Sequence, residues 1–458
     1  MSLSLGSILS CVPEEERVNS DPRLKLSFST DTVQFDTVFS GSAEQVRNIT
    51  KRLMIYNRNE RALEITSIFL NKGNASPYSL IVNGQDWKSQ SKHLLLGGDS
   101  LLVLVNLHVL PAGNRKPFLV NDAVVIEVNG NIQEVKLRAY GLDAIYIPKG
   151  TLQCNQVWTG DTPYLIQDTV WVGADCKLTI EKGTKLFFNN QAALMIEGTL
   201  KVLGNPDERV TFSNSRLDIK NGAGLWAGIH LLPGSTDNEI YFAVIRNATS
   251  GVILNTQDMD TLPDLIIGNS KIENMARYGI YALNSDLYVY NSLINTAYEN
   301  VVKHEGGGNY TYEHCTLVNY SILGFNVQQP SVAFSDKVIV GGVTEHNPLK
   351  VKLYNNIIWS GSSLPYLSDL SFYVEGENYL LDHAHNLIRS TDASQAVNNN
   401  MINTLPDFPK FVKISAYDYR LDVSSPAIDS GTPLGLSIDL EGSERDDNPD
   451  IGAYEYLK

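Results

Sequence analysis

The chain has 458 residues, more than one ordinary hydrophobic core organises, so two or three domains are expected. Its formal charge of −15 argues against duplex nucleic acid, whose binding is driven by cation release from phosphates, and against acidic polysaccharide unless a cation intervenes. No stretch approaches the roughly 20 consecutive apolar residues of a membrane-spanning helix. The longest candidate, Leu94 to Leu110, is broken by Gly97, Gly98, Asp99, Asn106 and His108 and reads as strands. Cys11, Cys154, Cys176 and Cys315 are too few for a disulfide scaffold.

Residues 1–21 read as an anchor segment and linker. Leu3, Leu5, Ile8 and Leu9 lead into Leu9-Ser10-Cys11, followed at once by Pro13-Glu14-Glu15-Glu16. This resembles the end of a bacterial lipoprotein signal, in which the Cys is acylated, although the usual cationic start is missing. The acidic run resembles the signal that routes some lipoproteins of Gram-negative bacteria to the outer face of the outer membrane. The resemblance implies a lipidated Cys11, a cell-surface location and a membrane attachment through that anchor alone.

Residues 22–145 carry short alternating or apolar runs, among them Thr32 to Val38, Lys51 to Tyr56, Ala62 to Phe69, Ser100 to Leu107 and Glu134 to Ala139. Turn-prone segments separate them, and Asn129-Gly130-Asn131 favours a hairpin. Seven or eight strands in this length predict an antiparallel β-sandwich of immunoglobulin-like shape, acting as a spacer or docking module.

From residue 146 to 404 the grammar changes to a repeat. Asn or His, two variable residues, then Ile or Leu recurs at Asn269/Ile272, Asn291/Ile294, His314/Leu317, Asn355/Ile358 and His385/Ile388, with Phe242/Ile245 a weaker copy. Successive aliphatic positions are 27, 22, 23, 41 and 30 residues apart, a unit of about 22 residues with insertions. Alternating pairs precede each frame: Leu265/Ile267, Leu287/Val289, Tyr310/Tyr312 and Val351/Leu353. The pattern predicts a right-handed parallel β-helix whose coils stack their inward residues into one continuous core. The Asn or His of the frame is expected to bond backbone groups and its counterparts on neighbouring coils. Gly251, Gly279 and Gly324 are placed where a bend calls for positive φ. Residues 330–349 and 361–378 read as loops projecting from the stack.

Residues 405–458 contain Ser425-Pro426-Ala427-Ile428-Asp429-Ser430-Gly431, Asp439-Leu440-Glu441-Gly442 and Asp450-Ile451-Gly452-Ala453-Tyr454-Glu455. With the repeats, this resembles the closing segment of surface-anchored right-handed β-helix repeat proteins of Gram-negative bacteria. The tail is expected to cap the last coil, whose open strand edges invite aggregation.

Enzymes that this fold resembles, such as pectate lyases, polygalacturonases and alginate lyases, cluster Asp or Glu with Arg or Lys on outward positions of adjacent coils. The repeat register places two outward rows: Ile266, Tyr288, Thr311, Lys352, Asp382 and Gly268, Tyr290, Glu313, Tyr354, Ala384. A glycosidase needs two carboxyl groups at a defined separation, and beside Glu313 these rows offer no second one. No catalytic residue is assigned. Tyr288, Tyr290 and Tyr354, with Trp359 near the bend, form an aromatic strip on which sugar rings stack, a structural ladder being the competing use.

The remaining constellations read as structural. His383 and His385 form an alternating His-x-His, but His314 and His385 hold the polar position of the frame and are expected to be hydrogen-bonded rather than metal-bound. Lys303 to Gly308 reads as a solvated turn. The carboxylates Asp429, Asp439, Asp446, Asp447, Asp450 and Glu455 are read as turn-fixing, with Ca²⁺ binding as the alternative. No other cofactor is implied. Cys154 and Cys176, one repeat apart, are placed for a disulfide or a reduced pair, and Cys315 as a packed thiol. The sequence thus favours a monomeric, non-catalytic surface lipoprotein binding glycan or another envelope component; the alternatives are a polysaccharide lyase or glycoside hydrolase and a scaffold.

Overall fold

A computed structural model describes residues 17–41, 49–86, 92–256, 262–320, 327–364 and 366–457. Cys11 and Gly324 lie outside the described residues. The chain divides into two compact units, Met1–Ala144 and Ile145–Lys458.

The first unit is an immunoglobulin-like sandwich of two five-stranded sheets. Strands such as Ser100–Leu107 and Asn131–Leu142 alternate buried and exposed residues, and the buried halves of both sheets form one apolar cluster around Phe35, Leu53, Ile65, Val103 and Ile126. Asn129 and Gly130 both have positive φ, 50° and 74°, and join Phe118–Val128 to Asn131–Leu142 in an antiparallel hairpin. One pairing is parallel, Thr32–Phe39 beside Asn131–Leu142.

The second unit is a parallel β-helix, wound in the right-handed sense that parallel crossovers take. One side of every coil belongs to an eleven-stranded sheet that runs from Ile145–Ile147 to Met401–Asn403. The sixteen-stranded sheet supplies two further stacks. The leading stack passes through Val252–Leu254, and the tyrosine stack through Asn238–Tyr241 and Leu265–Gly268. Ile280–Tyr290 and Val302–Glu313 run through both stacks. The tyrosine stack ends with Leu349–Tyr354 and Tyr379–Ala384.

The aliphatic column is in vertical register: Ile245 pairs Ile272, then Ile294, Leu317, Ile358 and Ile388. From Ile245 to Ile388 every one of these side chains is fully buried, worth roughly 1.5–3 kcal/mol each. Every frame residue is left-handed: Asn269, Asn291, His314, Asn355 and His385 at φ 48°, 46°, 50°, 55° and 54°, and Phe242 at 49°. Asn adopts this region at least cost among residues bearing a side chain, which explains its recurrence.

The polar ladder lies one residue later than the sequence suggests. A left-handed residue turns its side chain away from the core, and the next residue points in. Thus the Asn356 Oδ1 accepts from the Cys315 N–H at 2.9 Å, Asn386 from Asn356 at 2.9 Å, and Asn400 from Asn386 at 2.8 Å. Ser292 accepts from the Ser270 N–H in the same way. Among the frame residues themselves, Asn355 donates to the His314 Nε2 at 2.8 Å, and the others reach elsewhere.

Their partner is the tail, and here the expected cap gives way to a strap. Residues 405–457 pack along the outer face of the eleven-stranded sheet. Asn269 and Asn291 donate to the Asp439 and Ile438 carbonyls at 2.6 and 2.7 Å, and Asn355 to the Thr432 carbonyl at 2.7 Å. The His314 and His385 Nδ1 atoms meet the Asp450 and Ser430 carbonyls at 3.1 Å each. Beneath the strap, Leu293, Val318, Ile357, Trp359 and Leu387 of the sheet pack against Tyr419, Leu421, Leu440, Ile451 and Tyr454. Arg445 is buried in the strap and holds Glu455 at 2.8 Å and Asn291 at 3.0 Å.

Three other readings change. The segments 330–349 and 361–378 are not simply loops, because each contains a strand of the leading stack, Val332–Ser335 and Leu370–Tyr373. What projects is the hairpin formed by Lys337–Val340 and Val343–His346. Lys303 to Gly308 is not a solvated turn: Lys303 and Glu305 face outward, while His304 lies in the core, stacked on Tyr310 at 4.0 Å and hydrogen-bonded to the Tyr312 hydroxyl at 2.7 Å. Gly306, Gly307 and Gly308, all at positive φ, make the corner between the stacks. Gly251 and Gly279 are required for a different reason than φ: a Cβ there would lie 2.6 and 2.4 Å from the Gly279 and Val301 carbonyl oxygens of the next coil. Cys154 and Cys176 form a disulfide between adjacent coils, and Cys315 is a buried free thiol.

Candidate functional site

Strand pairing places the two outward rows of the tyrosine stack as the repeat register requires, and continues both into earlier coils, where Leu203 precedes Tyr241 and Lys201 precedes Glu239. One row reads Tyr241, Gly268, Tyr290, Glu313, Tyr354, Ala384, and its neighbour Glu239, Ile266, Tyr288, Thr311, Lys352, Asp382. Tyr241 and Glu239 were missed because their coil carries Phe242 where the other frames have Asn or His. The signal was present all the same: each outward residue of the first row immediately precedes the left-handed residue of its frame.

The phenol rings are fixed. Tyr290 lies across Gly268, where an added Cβ would stand 2.5 Å from its ring and 3.0 Å from that of Tyr241. The Tyr288 and Tyr290 ring centroids are 5.2 Å apart. Tyr288 donates its hydroxyl to Glu313 and Tyr354 donates to Asp382, each at 2.6 Å. The Asp382 bond, with some burial, pushes the Tyr354 phenol up to about 12. Burial first, then the Glu313 bond, raises Tyr288 further, and burial pushes Tyr241 up to about 12. Burial raises Tyr290 as well, so all four phenols stay protonated at neutral pH, the Tyr288 and Tyr354 O–H groups being already given to Glu313 and Asp382. Three carboxylates, Glu239, Glu313 and Asp382, thus share this face, where the sequence rows had shown Glu313 standing without a second one beside it. Lys201 bridges Asp237 and Glu239 at 2.8 and 3.3 Å.

Trp359 does not belong to this strip. It lies on the eleven-stranded sheet, wholly buried, its ring stacked on Phe408 of the strap at 5.7 Å. The frame's Ile358 points into the core, so the next residue faces out, and this sheet's outside is covered by the tail.

The leading stack carries a second cluster that sequence reasoning did not assemble. Arg277 contacts Glu299 at 2.9 Å, Lys303 contacts Glu305 at 3.0 Å, and the Tyr281 hydroxyl donates to Glu305 at 2.7 Å. Tyr278 stacks on Tyr281 at 5.2 Å, with Arg277 over its ring. Burial, then the Glu305 bond, raises the Tyr281 phenol. For Lys303 burial acts downward, but Glu305 wins and the amine is raised. For Glu299 burial acts upward, but Arg277 and Tyr278 win and it is lowered. The cluster is a set of mutually satisfied charges.

The histidines and tail carboxylates are engaged structurally. His383 is hydrogen-bonded to Asn400. Asp439 accepts from the Glu441, Ser443 and Glu455 amides, and Asp450 from those of Asp429 and Tyr456. Among the described residues no group of three or more His, Cys, Asp or Glu is placed to hold a metal ion.

No protein-family model and no curated protein matches the chain. Among solved structures, a complex of XylC with xylose is 11% identical, covering 92% of this chain and 88% of that one at a TM-score of 0.34. The A-module of the Azotobacter vinelandii mannuronan C-5 epimerase AlgE4 is 10% identical over 57% of this chain and 88% of that one, at 0.29. The catalytic unit of a GH87 alpha-1,3-glucanase from Streptomyces thermodiastaticus is 11% identical over 74% and 75%, at 0.26. At such scores none of them carries a residue correspondence, and the fold rests on the strand pairing above.

Proposed function

We propose that this protein is a non-catalytic, carbohydrate-binding β-helix, displayed at the outer surface of a Gram-negative bacterium through a lipid on Cys11. Its ligand is polysaccharide or another envelope component. The observation that carries the reading is the pinned row of Tyr241, Tyr290 and Tyr354 with Tyr288 beside it. Rings held by their neighbours on a rigid sheet, as Tyr290 is over Gly268 and Tyr354 by Asp382, offer sugars a preformed platform, so little side-chain freedom is lost on binding. The flanking Glu239, Glu313 and Asp382 oxygens are suited to accept from sugar hydroxyls. Glu313 and Asp382 each already serve as acceptor for a phenol, the arrangement of a support rather than of a proton donor to a leaving group.

Soluble protein lacking the first 16 residues, titrated against a panel of polysaccharides, tests this. Binding that is lost in Tyr290→Ala and Tyr354→Ala is expected; a panel without a binder sinks the reading. A second reading, polysaccharide cleavage, is favoured by the carboxylates and cations gathered at Arg277, Glu299, Lys303 and Glu305. New reducing or unsaturated ends, abolished by Glu305→Gln, would establish it over the first.

A further inference from the structure

We infer that the ligand of the tyrosine face is a neutral, extended polysaccharide that lies along the axis of the β-helix and is read two sugars at a time. The inference rests on the carbohydrate-binding reading and adds to it a ligand class, a direction and a period. The direction comes from the register. Tyr241, Tyr290 and Tyr354 occur on every second coil, with Gly268 and Glu313 between them. Successive tyrosines are therefore two strand spacings apart, roughly 9.5 Å, close to the repeat of two pyranose units in an extended chain.

The intervening positions fit that period. Gly268 leaves room for the Tyr290 ring to lie down over its coil. Glu313 ties Tyr288 on the adjacent row. Ala384, on the coil after Tyr354, is a third small or non-aromatic intervening position, and among the described residues no further strand of this stack follows it. From Tyr241 to Tyr354 the row spans four strand spacings, roughly 19 Å, the reach of a pentasaccharide.

Charge selects the class. Asp237, Glu239, Glu313 and Asp382 stand on or beside the face, and Lys201 is already bridged to the first two of these. Lys352 pairs in register with Asp382. A uronic acid polymer would set its carboxylates against this surplus at close range, where like charges repel.

The test is calorimetric titration with cello-oligosaccharides and oligogalacturonates of two to eight units. Affinity for the neutral series is expected to climb in steps of two sugars up to about the pentasaccharide and then level off, with the uronates weaker by about tenfold or more. Tyr290→Ala, at the centre of the row, should lower affinity about fivefold to thirtyfold, the loss typical of an aromatic anchor, while Tyr290→Phe retains it. Uronates that bind as tightly as the neutral series, with binding lost in Tyr290→Ala, overturn the inference and leave the carbohydrate reading standing. Neutral binding that does not grow beyond the disaccharide also overturns it. Absence of binding by both series removes the inference together with the reading beneath it.

Discussion

The outer faces of the eleven-stranded sheet and of the tyrosine stack belong to the same coils, yet they meet different fates. On the first, Leu293, Val318, Ile357, Trp359 and Leu387 face outward and are buried by the strap. On the second, tyrosines, carboxylates and lysines face outward and remain partly exposed. Inside, both sides contribute to one apolar core. The interior therefore specifies the winding, while the outward residues record what each side is for. An outward apolar row marks a surface that the chain covers itself, and an outward row of pinned aromatics marks one left for something else.

The comparison can be broken most severely from within. Ile272→Asp strands an uncompensated charge in the core shared by both faces and is expected to cost about 3–5 kcal/mol, read as a large fall in the thermal midpoint; an unchanged midpoint would refute the register. Next, Trp359→Ala should cost about 3–5 kcal/mol while glycan titration stays as before. Tyr354→Ala should do the opposite, with stability altered by under about 1 kcal/mol and binding weakened. Equal effects of the two on binding would erase the distinction between the faces.

Smaller effects sharpen it. The first coils, below the reach of the strap, are tied by Cys154–Cys176, and reduction should lower stability by about 3 kcal/mol for a closed loop of this length, measured by denaturant unfolding with and without dithiothreitol. The strap side is also acid-sensitive. Burial, with the Arg445 charge nearby, depresses His314 to about 3, so the folded state keeps it neutral while the unfolded chain protonates it below about 6.5. Its contribution is complete above pH 6.5 and is lost as pH falls from there toward 3, roughly 1.4 kcal/mol per pH unit. His304, depressed to about 3 by burial, adds the same slope from the core. His314→Asn, which suits the left-handed site, should flatten the decline in thermal midpoint between pH 6 and pH 4 by one histidine's share. An unaltered decline would mean that this imidazole is not what senses the acid.

Much of the winding was legible because the repeat frame ends in an aliphatic residue that has to be inside, and alternation then fixes every neighbour, which is why Tyr288, Tyr290 and Tyr354 stand on the outward rows that the register required. The leading stack was harder to read. Its strands are short, as in Val252–Leu254, and in Val302–Glu313 the inward residue is His304, a polar type whose burial only the surrounding Tyr310, Tyr312 and Phe334 explain. The ladder was misplaced by one residue because Asn marks both the left-handed position, as at Asn355, and the inward one, as at Asn356. Trp359 was misassigned for a non-local reason: nothing near it in sequence announces that Phe408 will cover it. The strap as a whole is of this kind, since its partners lie up to 231 positions away, as between Arg209 and Leu440.

That distance bears on how the molecule is completed. The strap's contacts are scattered over coils from Arg209 to His385, so its docking surface does not exist until those turns have been wound and aligned. Neighbouring coils pair over short sequence distances, whereas the strap's hydrogen bonds reach across many of them. Without its strap the spiral would show Leu293, Val318, Ile357, Trp359 and Leu387 as a naked greasy seam, the kind of surface that invites capture by another molecule of its own kind.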